Sequence, residues 1–170
     1  MSRFVAACAC AIALVAGSSA VAATNPCWNA LSSAVRPYPG LARVLWAVVV
    51  TESDGWPWTI TVRGQTRRFP TEAAAAAALA VLARAGETPD CGCWQVSLKH
   101  HANRFSGPAA CLDPQANTRA ALSFLLELRQ AFGSWGKAIA AYHSRTKRLG
   151  DAYACRVARK LRNIQCEGTP

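Results

Sequence analysis

Cysteine is the residue type that most constrains what this sequence can fold into. The 170-residue chain contains eight cysteines, and six follow residue 23: Cys27, Cys91, Cys93, Cys111, Cys155 and Cys166. An even number in a small exported chain is typical of a disulfide framework, for which six cysteines allow 15 pairings. Cys91 and Cys93 are too close to bridge each other easily, so we expect each to pair with a distant cysteine. A zinc site at Cys-Gly-Cys is the alternative, although the spacing is poor for zinc.

The first 23 residues are typical of a secretory signal peptide. Arg3 precedes the apolar stretch FVAACACAIALVAG, and the small residues SSAVAA end at Ala23, where cleavage is expected. An uncleaved membrane anchor is the alternative, but the apolar stretch is short for a bilayer span. We therefore expect a periplasmic protein with no stable membrane anchor. Residues 24–170 are enough for one domain and too few for two.

The charge of the chain predicts an acidic partner. Without residues 1–23 the sequence has 18 Lys and Arg against 9 Asp and Glu. For an exported protein this favours an anionic cell-wall polymer or a membrane surface. A basic surface that only keeps the protein soluble is the alternative. No nucleic-acid-binding motif accompanies the charge, so we expect no nucleic-acid partner.

Helical periodicity dominates the sequence and predicts a mainly helical domain over about residues 27–166. Apolar residues recur at three- and four-residue spacing over 41–49, 121–132, 135–142 and 153–164. Thr71 and Asp113 are typical N-caps of two helices, and Gly86 and Gly133 follow their last turns. Residues 59–69, TITVRGQTRRF, predict a small β-hairpin. Residues 87–105 have no strong period and predict a polar loop, of the kind that often lines sites.

Glu52 is the strongest candidate for catalysis. It continues the apolar stripe of the first predicted helix and lies at the C-terminal end of that helix. Burial at such a position raises the pKa of a carboxylic acid, and the helix dipole acts in the same direction. A raised pKa keeps a proton available near neutral pH, as a general acid requires. A surface or ion-paired glutamate is the alternative.

Four further side chains are candidates for substrate binding. Trp58, like Trp56, could be an aromatic platform for a sugar, or could pack in the core. Gln95 follows a glycine and could bind an amide or hydroxyl group, or could brace its own loop. Tyr142 ends an apolar stripe, where its hydroxyl could reach a cleft. The sequence predicts no metal site and no cofactor, since it has no nucleotide-binding glycine loop and its adjacent histidines point in different directions.

Four segments in order resemble the lytic transglycosylases (SLT domain) of the lysozyme-like superfamily. These segments are TESDGW at 51–56, DCGCWQV at 90–96, LDPQANTRAAL at 112–122 and AIAAYHS at 138–144. The hairpin and the following RRFPTEAAAAA resemble a specialised subgroup that opens peptidoglycan for secretion systems, conjugation machinery or pili. The resemblance implies a mainly α, α+β lysozyme-like domain with a small β-hairpin, spanning residues 24–170 and stapled by disulfides.

The resemblance also implies an activity and its residues. The family cleaves the β-1,4 bond between N-acetylmuramic acid (MurNAc) and N-acetylglucosamine (GlcNAc) in peptidoglycan glycan strands, and forms 1,6-anhydro-MurNAc. Its catalytic glutamate and the following serine correspond to Glu52 and Ser53. Its cleft-lining glycine and glutamine correspond to Gly92 and Gln95, and its tyrosine to Tyr142.

Two departures from the family pattern and two rival functions stay open. Ser97 and His143 stand where relatives commonly have asparagine. A hydrolase of the same fold would use a second carboxylate, and Asp90 and Asp54 are the candidates. A non-catalytic wall-binding module is the second rival. No second carboxylate is evident from the sequence, which favours the mechanism with one glutamate.

Overall fold

The computed structural model describes residues 25–161. The predicted signal peptide, Ile164 of the last stripe and Cys166 lie outside the described residues. The described part is mainly helical with one small antiparallel sheet, as predicted. Its α-helices are α1 Pro26–Ala34, α2 Ala42–Ser53, α3 Glu72–Arg84, α4 Leu98–His101, α5 Pro114–Phe132, α6 Trp135–His143 and α7 Lys147–Lys160. Single 3₁₀ turns occupy Pro39–Leu41, Ala102–Arg104 and Pro108–Leu112.

Helix α1 was not predicted from the sequence. Asn25 caps it by accepting hydrogen bonds from the backbone N–H groups of Cys27 and Trp28, and Pro26 occupies the first helical position. Its Leu31 is fully buried and packs in the larger core. The Asn-Pro pair is therefore a start signal that the sequence carries.

The caps predicted for the other helices are confirmed. The hydroxyl of Thr71 accepts a hydrogen bond from the backbone of Ala74, at the start of α3. The carboxylate of Asp113 accepts one from Ala116 at the start of α5. Gly133 ends α5 with a left-handed backbone, where the missing Cβ avoids strain.

The sheet is larger than the predicted hairpin. Strands β1 Thr59–Val62 and β2 Gln65–Arg68 form that hairpin, and its turn residues Arg63 and Gly64 both have positive φ. Strands β3 Asp90–Cys91 and β4 Val96–Ser97 extend it in the order β2-β1-β3-β4. The prediction of an irregular loop over 87–105 was therefore wrong in part, because strands of two residues are too short to show an alternating pattern.

The two faces of the hairpin have different neighbours. Thr61 and Thr66 are opposite each other on one face, and their hydroxyl groups are 2.9 Å apart. Ile60 and Arg67 are opposite each other on the other face, which is turned towards α3. The alternation follows from the two-residue period of a strand.

The described residues form three hydrophobic cores, the smallest of which joins α5 to α6 through Leu128 and Ala138. Of the other two, the larger core joins α1, α2, α5, α6 and α7, and α2 contributes its buried Leu45, Val48 and Val49. Full burial of such a side chain contributes about 1.5–3 kcal/mol. The smaller core joins the hairpin to α3 through Ile60 and Leu79. The stripe predicted from Leu41 onward thus anchors the helix that carries Glu52.

One disulfide joins α1 to the turn between β3 and β4, and another joins β3 to the 3₁₀ turn at Pro108–Leu112. Cys27 of α1 is bonded to Cys93, and Cys91 of β3 is bonded to Cys111. The prediction that Cys91 and Cys93 pair with distant partners is confirmed. Both sulfurs are in disulfides, so the zinc interpretation of Cys-Gly-Cys was wrong. In the described part of the chain, no helix is both long and apolar enough to span a membrane.

Candidate active site

A cleft of about 780 Å³ lies beside the end of α2. Its walls come from α2, the hairpin, the β3–β4 segment, α4, α5 and α6. The lining residues are Glu52, Thr61, Thr66, Asp90, Gln95, Val96, Ser97, His100, His101, Phe124, Tyr142, His143 and Arg145. Two carboxylates, three histidines and one arginine therefore share this cleft.

Glu52 lies in the penultimate position of α2 and is held in the cleft wall. The hydroxyl of Tyr153, from α7, donates a hydrogen bond to its Oε1 atom across 2.5 Å. Burial raises the pKa of Glu52 from its ordinary value of 4.5 to about 7. The hydrogen bond from Tyr153 and the charge of Arg156 act in the opposite direction, while the charge of Asp90 adds to the rise. A carboxyl group with this pKa can both donate and accept a proton near neutral pH.

Asp90 is the second carboxylate of the cleft. It lies on β3, opposite Thr61 on one side and Ser97 on the other. Burial raises the pKa of Asp90, and a hydrogen bond with the Ser97 side chain partly offsets that rise. The other carboxylate considered from the sequence, Asp54, does not line the cleft and forms salt bridges with Arg68 and Lys160.

Gln95 lines the cleft, and hydrogen bonds hold its side chain. Its Nε2 donates to the carbonyl oxygens of Gly92, at 2.9 Å, and Thr59, at 3.1 Å. Its Oε1 accepts from the hydroxyl of Thr61 at 2.6 Å. These contacts fit the loop-bracing interpretation, and a substrate-binding role for Gln95 stays a prediction.

Gly92 is buried beneath Gln95 and permits a close approach of two chains. Its φ is +82°, and an added Cβ would lie 2.4 Å from the carbonyl oxygen of Cys111 and 2.4 Å from Nδ2 of Asn117. Asn117 uses this proximity: its side chain donates to the carbonyl of Cys91 and accepts from the backbone N–H of Trp94. Gly92 thereby fixes the loop that presents Gln95.

Tyr142 lines the cleft from α6. Its hydroxyl donates a hydrogen bond to the carbonyl oxygen of Trp94 at 2.9 Å. Burial raises the pKa of Tyr142 well above its ordinary value, and the nearby Glu52 and Asp90 add to the rise. The tyrosine is therefore neutral throughout the physiological range.

Comparison with known protein families adds to this geometry. The family model of the transglycosylase SLT domain matches residues 31–164. The chain belongs to this family. Neither the curated proteins nor the solved structures contain a significant match to the chain.

Membership in the SLT family establishes the class of activity. The protein is an enzyme, a lytic transglycosylase that acts on glycosidic bonds of peptidoglycan, and it has the lysozyme-like fold of the family. Within residues 25–161, no group of three or more His, Cys, Asp or Glu side chains is placed to hold a metal ion.

Three predicted binding residues of this SLT domain lie outside the cleft lining, namely Gly92, whose contacts are given above, Ser53 and Trp58. Ser53 is 1% exposed, and its hydroxyl donates to the carbonyl of Cys93 at 2.8 Å, so it ties α2 to the disulfide loop. Trp58 packs against the smaller core beside Phe69. Binding roles for Ser53 and Trp58 stay predictions, and their observed contacts are with the protein itself.

The residue that holds Glu52 was not singled out from the sequence as a site residue. Tyr153 was predicted only as part of an apolar stripe, which it is, since it is 1% exposed. Helical spacing gives no sign that its hydroxyl reaches Glu52. His143 was noted as a departure from the family pattern, and its ring stacks on that of Tyr153 with centroids 4.6 Å apart.

Proposed function

We propose that this SLT domain cleaves the MurNAc-β-1,4-GlcNAc bond of peptidoglycan and forms 1,6-anhydro-MurNAc, with Glu52 as both acid and base. The observation that carries the proposal is the position of Glu52, which lies half-buried in the cleft wall, where desolvation raises its pKa to about 7. A group that is half protonated near neutral pH is suited to two proton transfers in one cycle.

The proposed reaction has two steps that Glu52 connects. Protonated Glu52 gives its proton to the glycosidic oxygen while the bond from that oxygen to C1 of MurNAc breaks. The N-acetyl group of the same sugar stabilises the positive charge that develops at C1. The Glu52 carboxylate then takes the proton from the 6-hydroxyl as O6 bonds to C1, which closes the anhydro ring and restores the acid.

The neighbours of Glu52 suit this cycle. The hydroxyl of Tyr153 holds one carboxyl oxygen and stabilises the carboxylate that exists between the two steps. Gln95 and Tyr142 brace the segment from Gly92 to Gln95 through their hydrogen bonds to the carbonyl oxygens of Thr59, Gly92 and Trp94.

Hydrolysis is the second candidate, and Asp90 is the observation that favours it. Its carboxylate lines the same cleft and is close enough to Glu52 for its charge to raise the pKa of Glu52. Glycosidases with two carboxylates use the second as a base for water or as a nucleophile. The two candidates differ in product, because hydrolysis adds a water molecule and ring closure does not.

The mass of the products tests the proposal. Residues 24–170 are incubated with purified peptidoglycan, beside the Glu52→Gln variant, and the soluble fragments are weighed. Fragments lighter by one water than hydrolysed ones, and absent with Glu52→Gln, are the expected result. Hydrated fragments that disappear with Asp90→Asn would assign a lysozyme-type hydrolase instead. Fragments from a folded Glu52→Gln variant at the wild-type rate would remove Glu52 from the mechanism.

We also propose a location and a role. A signal peptide over residues 1–23 would deliver the domain to the periplasm, where its glycan substrate is.

A role in local opening of the cell wall for a secretion, conjugation or pilus apparatus is supported by the hairpin and the alanine-rich α3, which resemble the specialised subgroup of transglycosylases that serves such machines. Cell fractionation tests the location, and recovery of the protein in the cytoplasm would contradict it. Cross-linking in cells tests the role, and the absence of any cross-linked envelope component would contradict it.

A further inference from the structure

His143 has an unusual place in the cleft wall. It is the last residue of α6, and its imidazole lines the cleft. Its ring lies flat on the ring of Tyr153, with centroids 4.6 Å apart and an angle of 6° between the planes. Tyr153 itself is 1% exposed and does not line the cleft. The imidazole therefore stands between the cleft and the phenol ring.

The contact continues from Tyr153 to the reacting group. The Tyr153 hydroxyl donates to Oε1 of Glu52, so His143, Tyr153 and Glu52 form one connected series of side chains. The guanidinium of Arg156 lies 5.4 Å from the centroid of the same phenol ring. His143 is exposed, Glu52 is half-buried and also lines the cleft, and Tyr153 is buried between them in the series. It is thus the outermost member of the series.

We propose that His143 is a positioning residue that acts through Tyr153: its flat ring closes the cleft wall over Tyr153 and keeps water from the Tyr153–Glu52 hydrogen bond. The inference rests on the proposed function of Glu52. It gives a role to a cleft-lining side chain whose flat ring covers the phenol of Tyr153.

The charges around the series agree with a neutral imidazole. Burial and the charge of Arg156 lower the pKa of His143 below its ordinary value, and the charge of Asp90 opposes them. A protonated ring would place a second cation beside Arg156. The other titratable or charged side chains that line the cleft, besides Glu52 and Tyr142, are His100, His101 and Arg145.

Water exclusion also accounts for the state of Glu52. Burial is the largest cause of its raised pKa, and the charge of Asp90 adds to it. Tyr153 and Arg156 oppose the rise. Because burial dominates, opening the wall to water is expected to lower the pKa of Glu52, even if the bond to Tyr153 weakens at the same time.

Two kinds of substitution distinguish the effect of the His143 ring from the effect of its titratable charge. His143→Asn and His143→Gln remove the ring, and His143→Phe keeps a ring of similar size that does not titrate. Kinetics on peptidoglycan are measured from pH 5 to 9. The variants without a ring are expected to lose about tenfold in kcat at pH 7, with KM within about twofold of wild type. The pH at which the rate falls on the alkaline side of the pH–rate profile is expected to decrease by about one unit. His143→Phe is expected to restore kcat to within about threefold and that pH to its wild-type value.

A second readout does not depend on turnover. The carboxyl carbon of Glu52 is titrated by NMR with ¹³C-labelled glutamate, and its signal is assigned by its absence in Glu52→Gln. Its pKa is expected to fall in His143→Asn and to stay unchanged in His143→Phe. An upward shift in His143→Asn would mean that only the Tyr153 bond was lost, and no shift would mean that His143 has no effect on Glu52. Either result overturns the proposal.

The two readouts distinguish two failures. Wild-type protein that releases no fragments, together with the expected NMR shifts, would refute the function of Glu52 and leave the shielding by His143 standing. Anhydro products together with equal kinetics for His143→Asn and wild type would refute the shielding alone. Thermal unfolding of each variant identifies any that fails to fold, and His143→Gln then replaces His143→Asn.

Discussion

The hydroxyl of Tyr153 donates a hydrogen bond to Oε1 of Glu52, a residue 101 positions earlier in the chain. The bond joins α7 to the end of α2, two helices that pack against each other. It favours the carboxylate, whereas burial of Glu52 favours the acid. Together these two effects give Glu52 a pKa near neutral pH. Removing the hydrogen bond should raise that pKa, and exposing Glu52 to water should lower it.

Removal of the tyrosine hydroxyl shifts the balance towards the acid. In Tyr153→Phe the pKa of Glu52 is expected to rise, because the bond that lowers it is lost. Turnover is expected to fall by roughly tenfold, since the carboxyl group is no longer held in one orientation. Carboxyl NMR and initial rates check both effects. Tyr38→Phe is the matched control, because Tyr38 is 61% exposed and remote from the cleft lining. An unchanged Glu52 pKa in Tyr153→Phe would contradict the role of the bond.

The rate of cleavage is expected to depend on pH through Glu52. The first step requires protonated Glu52, whose pKa is raised to about 7. The value of kcat/KM should therefore fall as pH rises through about 7, by about tenfold per pH unit well above it. The release of soluble fragments between pH 5 and 9 measures this limb. A rate that continues to increase up to pH 9 would show that protonated Glu52 is not the acid.

The raised pKa also has a consequence for stability. The folded pKa of Glu52 is about 7 and its ordinary value is 4.5. A raised pKa means that folding favours the protonated form, so wild-type stability falls as pH rises from about 4.5 to about 7. Glu52→Gln should match wild type near pH 4 and exceed it by about 2–3 kcal/mol at pH 8, measured by denaturant unfolding.

The control for this stability experiment is Glu72→Gln, at an exposed position in the first turn of α3. It should show no gain in unfolding free energy that grows between pH 4 and pH 8. A Glu52→Gln gain that is the same at both pH values would indicate a packing effect rather than the removal of a buried charge.

Gly92 is expected to tolerate no side chain. In Gly92→Ala the new methyl group would lie 2.4 Å from the Cys111 carbonyl oxygen, at a φ of +82°. Backbone strain and overpacking together should cost about 2–4 kcal/mol of unfolding free energy. Gly107→Ala is the control, since nothing lies within 4 Å of its Cβ position. Thermal and denaturant unfolding compare the two variants, and equal stability of both would refute the close approach.

The two disulfides should contribute unequally. Cys27 and Cys93 are 66 residues apart, and Cys91 and Cys111 are 20 apart. Loop-closure entropy predicts that Cys27→Ala with Cys93→Ala costs about 4 kcal/mol, and Cys91→Ala with Cys111→Ala about 3 kcal/mol. Denaturant unfolding of the two double variants measures the difference. A larger loss from the shorter loop would show that local packing at β3 outweighs chain entropy.

The elements that sequence reasoning predicted are those with strong local signals. The helix ending in Glu52 has a long apolar stripe, and the helices after Thr71 and Asp113 have side-chain caps. Helix α1 has its own cap at Asn25, but it is only nine residues long and begins soon after the predicted signal peptide. The sequence does contain a start pattern for α1, the cap at Asn25, but the shortness of the helix makes it easy to overlook.

The parts that could not be predicted depend on contacts between distant residues. The bond from Tyr153 to Glu52 depends on how α7 packs on α2, which no local pattern encodes. The pairing of Cys27 with Cys93 is one of many that the cysteine count allows. The side chain of Gln95 could have faced substrate or loop, and only the positions of Thr59 and Gly92 relative to it show that it is engaged.

The alternation along the hairpin separates two demands on one short segment. Thr61 and Thr66 meet the cleft, while Ile60 and Arg67, one step away along each strand, meet the α3 side. A substitution at Thr61 or Thr66 alters the surface of the cleft, where the proposed glycan would bind, and leaves Ile60 in the smaller core. A substitution at Ile60 or Arg67 alters the packing against α3, on the face of the hairpin that does not line the cleft. The shape of the cleft and the folding stability of the hairpin can therefore change independently, because different residues determine them.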